Sequence, residues 1–240
     1  MFGDFKDFKI INDINQFGYK SKKLYKNSKI VMCVPNTLIY HFNKKLLSKF
    51  LSLGAQNCHY SIQYGPFTGS INSSMLKKAG AKYIILGHSE NRLEGESNEL
   101  IKKKIISSHK QNLNVIFCIG ETINEKRNNK TFVVLRKQIK ESIKKVKKLN
   151  KIIIAYEPVW SIGTNKIPKI EELATTIKFI KNEFKILLKA QKNPIVLYGG
   201  SVNNKNVSLF SSISLLDGFL IGGASQSSKK FIDIVKNYYK

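Results

Sequence analysis

Short β-branched runs alternate with polar, lysine-bearing stretches along nearly the whole of this 240-residue chain. The runs at 29–34, 51–56, 81–86, 114–119, 151–156, 194–198 and 217–221 are almost continuously apolar. Strands buried on both faces read this way, because neither face alternates toward water. Between the runs the period lengthens. Across 131–149, Leu135, Ile139, Ile143 and Val146 recur every three or four residues with lysines opposite, and across 169–189 Leu173, Ile177, Ile180, Phe184 and Leu187 do the same. That spacing lays one apolar stripe along a helix. Strand then helix, repeated, predicts parallel β/α units. The stretch 4–25, with Phe5, Phe8, Ile11 and Ile14 three apart, predicts a helix at the front. Nothing in composition divides the chain, so one α/β domain over 1–240 is expected. Seven strands are visible where a closed parallel barrel needs eight. Either the sheet is open, or one strand belongs before residue 1.

Composition narrows the function classes. A hydrophobic fraction of 42% supports a packed core and excludes intrinsic disorder. No apolar run reaches the roughly 18 residues of a membrane helix, and the opening residues lack the pattern of a signal peptide. Three cysteines (Cys33, Cys58, Cys118) without a C-x-x-C pair argue against a disulfide scaffold or zinc ribbon and for a reducing cytoplasm. The net charge of +25 raises nucleic-acid binding as a reading. Against it, only Arg92, Arg127 and Arg136 are arginines, and the lysines spread over the whole chain. Base readout and bidentate phosphate recognition favour arginine. The expectation is lysines on solvated helix faces, with a basic surface that attracts anionic substrates.

Candidate chemistry falls just after strand ends, where parallel α/β proteins place it. Gly87-His88-Ser89-Glu90 follows the run 81–86. A lone histidine there fits a structural role as readily as a catalytic one. Tyr156-Glu157-Pro158-Val159-Trp160 follows the run 151–156, and a carboxylate beside the chain's one tryptophan suits a general base. The alternative is a simple helix-entry turn. Pro158 and Gly163 bound a segment shaped like a lid. Gly199-Gly200-Ser201 and Gly222-Gly223-Ala224 end the last two runs. Such corners let backbone N–H groups approach a phosphate, though tight turns use Gly-Gly pairs everywhere.

In this order Gly54-Ala55-Gln56-Asn57, Phe67-Thr68-Gly69, Gly87-His88-Ser89-Glu90, Cys118-Ile119-Gly120-Glu121, the block 155–163, Tyr198-Gly199-Gly200-Ser201-Val202 and the block 220–225 resemble the triosephosphate isomerase family. The resemblance runs from about residue 30 to the end. It implies a (β/α)₈ barrel that interconverts dihydroxyacetone phosphate and D-glyceraldehyde 3-phosphate without metal or cofactor, in glycolysis and gluconeogenesis. By the same resemblance Glu157 is the base that moves a proton between substrate carbons, and His88 polarises the carbonyl as a neutral imidazole. Gly163, Ser201, Gly222 and Gly223 bind the phosphate, and the loop 158–166 closes over the site. Glu90 and Cys118 are supporting residues. Thr68 lies in the loop that reaches a neighbouring subunit, which implies a homodimer; no membrane or specific nucleic-acid partner is implied.

The front of the chain departs from the family. Its first strand ends in an Asn-Trp-Lys-Met-Asn-Gly-like turn, and Met1-Phe2-Gly3 resembles only the close of that turn. The first strand, with its substrate-contacting asparagine and lysine, is thus expected upstream of residue 1. Lys6 and Lys9 fall within the expected front helix and make poor substitutes. Without that strand the chain would have two unpaired sheet edges and a missing cation, so a weak isomerase, or a homologue that only binds phosphorylated ligands, is the alternative. Ser70 and Asn91 also stand where the family usually has glutamate and arginine. If those two positions pair across the dimer, both charges are lost together. A fluorescence-anisotropy titration with a DNA duplex is expected to show weak binding at low salt that vanishes at physiological salt; tight binding surviving there would revive the nucleic-acid reading.

Overall fold

The computed structural model describes residues 2–4, 7–21, 29–46, 51–190 and 192–238. Eight parallel strands close a barrel in sequence order: β1 (Phe2–Asp4), β2 (Ile30–Val34), β3 (Leu51–Ala55), β4 (Tyr83–Leu86), β5 (Asn114–Ile119), β6 (Ile152–Tyr156), β7 (Ile195–Tyr198) and β8 (Gly218–Ile221). Around them run α1 (Phe8–Ser21), α2 (Asn36–Asn43), α3 (Ser73–Ala79), α4 (Ser89–Leu93), α5 (Asn98–Lys110), α6 (Ile123–Arg127), α7 (Thr131–Ile143), α8 (Ile170–Leu188) and α9 (Ser228–Tyr238). Each of the seven apolar runs read from sequence is a strand. Among the described residues no helix is long and apolar enough to cross a membrane.

The expectation of a first strand upstream of residue 1 is corrected here. β1 fills that slot: Phe2, Gly3 and Asp4 lie opposite Val31, Met32 and Cys33, while Phe2 and Gly3 lie opposite Leu220 and Ile221. Three residues of backbone suffice to join the edges of β2 and β8, so the unpaired edges expected from sequence do not arise. The strand escaped the hydrophobic reading because it is short. The three-residue spacing of Phe5, Phe8, Ile11 and Ile14 also swept it into the helical pattern. The helix begins only at Phe8. Lys9 is therefore helical, as expected, whereas Lys6 precedes the helix and lies outside the described residues.

Strand alternation builds two cores. Val31, Cys33, Tyr83, Ile85, Ile116, Cys118, Ile153, Ala155, Leu197 and Leu220 fill the barrel interior. The intervening residues, among them Met32, Ile84, Phe117, Ile154 and Val196, face the helix stripes, where Ile139, Ile177, Ile180 and Phe231 cover them. Apolar residues on both faces of each strand explain the unbroken runs in sequence. The helix expected over 131–149 stops at Ile143, because Lys145 takes a left-handed φ of 73° and a 3-10 turn covers Leu149–Lys151.

His109, at the C-terminal end of α5, is buried, with 5% of its surface exposed. Burial, followed by the nearby Lys148 and Lys151 charges, pushes its pKa down to about 4. An unfolded histidine titrates near 6.5, so between those values the unfolded chain binds a proton that the fold refuses. Stability is therefore expected to fall as the pH drops from 6.5 toward 4, by at most about 3 kcal/mol from this group. Urea unfolding at several pH values measures this, and His109→Leu should flatten the slope over that window.

Candidate active site

Strand parity delivers the carboxylate. Ile153 and Ala155 point into the barrel, so Glu157, two residues further on, continues inward at the C-terminal mouth. It is 3% exposed. Its N–H donates to Ile119 O at 2.8 Å, and the Gly199 N–H donates to Tyr156 O at 2.8 Å, which pins this segment between the ends of β5 and β7. A Cβ at position 199 would stand 2.6 Å from Glu157 Cγ, so the glycine there makes room for the carboxylate. Below it lies Cys118. Complete burial and then the Glu157 carboxylate hold this thiol well above its ordinary pKa, so it stays protonated and hydrogen-bonds Glu157.

The imidazole arrives by a different route. Gly87 takes φ 73° and turns the chain out of β4, placing His88 at the start of α4. His88 Nδ1 accepts the Glu90 N–H at 3.3 Å. A ring nitrogen that accepts carries no hydrogen, so in the neutral ring the proton sits on Nε2. That Nε2 stands 3.4 Å from Glu157 Oε1. The turn itself is tethered: the Gly87 N–H donates to Glu96 Oε2 at 3.1 Å, and Arg92 donates to Gly87 O at 2.8 Å and Cys118 O at 3.1 Å. Glu96 is in turn paired with Lys104.

One cavity of about 580 Å³ is lined by His88, Glu157, Gly163, Ser201, Gly222 and Gly223 together. These six residues were singled out from sequence. At Gly222 and Gly223 an added Cβ would meet nothing within 4 Å. Packing does not demand glycine at this corner, whereas a ligand lying against the backbone would. Lys205 and Lys230 line the same end and make it positive. Among the described residues no three His, Cys, Asp or Glu side chains cluster to hold a metal ion.

The remaining candidates lie elsewhere. Glu90 reaches His88 through its backbone N–H, while its carboxylate is 70% exposed and 3.9 Å from Nδ1. Cys118 sits beneath the cavity in the barrel interior. Thr68 is exposed in the long loop after β3, away from the cavity. There His59 packs against Tyr60 and Phe67, with ring centroids 4.3 and 4.6 Å apart.

Sequence reasoning quoted Ser161 and Glu121 within motifs but gave no role to these residues, which frame the loop 158–166. Ser161, fully buried, is a hub: its hydroxyl donates to Lys166 O at 2.6 Å, shares a 3.1 Å bond with Tyr198 OH, and accepts the Ser201 N–H at 3.2 Å. Glu121, also fully buried, accepts Trp160 Nε1–H at 2.9 Å and Tyr156 OH at 3.1 Å. Burial raises its pKa, and the Trp160 and Tyr156 donors pull it back. Both residues follow buried strands, and a search of strand ends for every polar residue would have found them. Replacing Gly223 by Asp should abolish inorganic phosphate binding, read by calorimetric or NMR titration. The melting temperature is expected to stay within a few degrees, since space is open there; binding at wild-type strength would show that the corner faces no anion.

The family model for triosephosphate isomerase matches residues 1–238. Over 221 residues the chain is 42% identical to the triosephosphate isomerase of Dictyoglomus thermophilum, spanning 90% of this chain and 88% of that one. Over 242 residues it is 37% identical to that of Dictyoglomus turgidum, spanning 98% and 97%. The crystal structure of triosephosphate isomerase from Bartonella henselae superposes with a TM-score of 0.88 at 32% identity, covering all of this chain and 98% of the other. The match begins at residue 1, so the front of the chain, with β1, is part of the likeness. With barrel, cavity and full-length matches in agreement, this chain belongs to the triosephosphate isomerase family.

Proposed function

We propose a division of labour among these residues for the isomerisation of dihydroxyacetone phosphate and D-glyceraldehyde 3-phosphate, the activity of the family. The observation that carries it is the 3.4 Å approach of His88 Nε2 to Glu157 Oε1 in the cavity that ends at the Gly222–Gly223 corner. A triose phosphate lies with its phosphate at the glycine corners and its carbonyl end facing both the carboxylate and the imidazole. Glu157 takes a proton from the carbon bearing the hydroxyl, and the electron pair moves to make the enediolate. The His88 Nε2–H donates to the carbonyl oxygen as negative charge grows there, then passes the proton between the two oxygens. Glu157 returns its proton to the neighbouring carbon, and the enzyme is regenerated. The protonated Cys118 thiol gives the carboxylate a buried donor without competing as a nucleophile.

The loop 158–166 is the lid. Closed, it excludes water and brings Gly163 to the phosphate. Ser201 already ties to it, since its hydroxyl donates to Ser161 O at 2.6 Å and accepts the Asn165 N–H at 3.1 Å.

The cation missing from the sequence reading is Lys6 in this proposal. It stands two positions in sequence after the last residue of β1 and two before the first of α1, and β1, parallel to the other strands, ends at the same mouth of the barrel as β6. The Asp4-Phe5-Lys6 order is similar to the family's Asn-Trp-Lys, with aspartate replacing asparagine. The weak-isomerase alternative rested on an absent first strand with its asparagine and lysine; β1 supplies a strand, and Lys6 is the proposed cation.

The loop carrying Thr68 meets a second copy of the chain in the proposed homodimer, which acts in the cytoplasm in glycolysis and gluconeogenesis. Ser70 has no charge to offer across such an interface. Asn91 is engaged within its own chain, where its Oδ1 accepts the Asn57 amide at 2.7 Å. The dimer is therefore expected to be weaker than those joined by a charge pair at these positions.

Coupled assays of triose phosphate isomerisation test the assignment. Glu157→Gln should cost several orders of magnitude in kcat with KM nearly kept, and His88→Gln should also lower kcat, less severely. Lys6→Met should lose about 10²-fold or more, while Lys9→Met changes little. A small effect at Glu157, or equal effects at Lys6 and Lys9, would overturn these roles.

A further inference from the structure

One cation outside the cavity links the start of the loop 158–166 to the helix that follows the loop. Lys126 on α6 places its ammonium 4.2 Å from the ring centroid of Trp160, at the lid's first hinge. The same ammonium pairs with the carboxylate of Glu172 in the first turn of α8, just past the lid's other end. The indole is thus fixed on two sides: its N–H donates to the buried Glu121, and its face lies under Lys126. The support is itself stiff, because Thr122 and Glu125 form a reciprocal capping box that closes the first turn of α6. An ammonium over an indole is attracted to the ring face, and worth most when partly shielded from water. Lys126 is about one quarter exposed on its side chain.

We propose that Lys126 is a positioning residue for lid closure, bracing the Trp160 hinge against the start of α8 so that both lid ends move relative to one fixed charge. The inference rests on the reading of 158–166 as a lid over the isomerase cavity. When the lid is loose, the enediolate is exposed to a side reaction. Its electron pair forms a carbon–carbon double bond, the carbon–oxygen bond to phosphate breaks, and inorganic phosphate leaves. The remaining enol tautomerises to a ketoaldehyde. A braced lid suppresses this elimination.

Trp160 is the chain's only tryptophan, so its emission reports the hinge directly. Lys126→Met keeps the aliphatic stem and removes the charge. With wild-type thermal stability, it should red-shift Trp160 emission and raise its quenching by acrylamide. It should also lower kcat/KM for isomerisation two- to fivefold and raise the fraction of turnovers that release phosphate. Lys126→Arg should restore all four readouts. Glu172→Gln, which frees the ammonium from α8, should move them in the same direction by less, and serves if Lys126→Met folds poorly. Unchanged quenching, or altered quenching with an unchanged ratio of elimination to isomerisation, would overturn the brace. If the unmodified protein does not isomerise triose phosphates, the functional reading falls, and acrylamide quenching of the same variants still decides whether Lys126 holds the hinge.

Discussion

A buried carboxylate at the end of β6 organises this protein. Its direction is a consequence of sheet geometry: once Ile153 and Ala155 face the barrel interior, Glu157 must face the same way. A carboxylate in such a place is costly unless donors meet it. The neighbouring elements are arranged accordingly. β5 brings the Cys118 thiol beneath it, Gly199 leaves the space it occupies, and the turn after β4 brings the imidazole across from it. The tethers that hold Gly87 through Glu96 and Arg92 have the same effect at one remove, since they set where the His88 ring can sit. Reactive groups are thereby held by strand ends, and the loop 158–166 is tied down at Trp160 and Ser161.

Much of this was legible in sequence for a physical reason. Central strands of a barrel are buried on both faces, so they read as unbroken apolar runs, and chemistry at their ends is easily located. His88, Glu157 and the glycine corners were found by that rule. β1 was not, because three residues carry too little pattern to stand against the helical spacing that follows them. Its omission led to the expectation of a strand upstream of residue 1 or, failing that, of two open edges, where β1 closes the barrel. Ser161, Tyr198 and Glu121 were passed over for a different reason. Ser161 bonds Tyr198, and Glu121 accepts from Tyr156 and Trp160; partners distant in sequence become visible only once strands are side by side.

Charge illustrates how weakly composition determines function. A net +25 invites a nucleic-acid reading. In the fold, lysines instead sit over Trp160 and pair with the carboxylates of buried Glu96 and exposed Glu172 and Asp217, and two more line the cavity with the glycine corners. A positive cavity mouth favours a dianionic triose phosphate in solution, with an effect that weakens as salt rises.

The central claim is that one carboxylate carries a proton between two carbons of the substrate. Isomerisation carried out in deuterium oxide and followed by NMR tests it most directly. Partial exchange on Glu157 during the life of the enediolate predicts that some product molecules carry one solvent deuterium on the newly protonated carbon, and the others the substrate's own proton. Full-rate isomerisation by Glu157→Gln under the same conditions, with only protium on that carbon, would mean transfer that bypasses the carboxylate and would contradict the account.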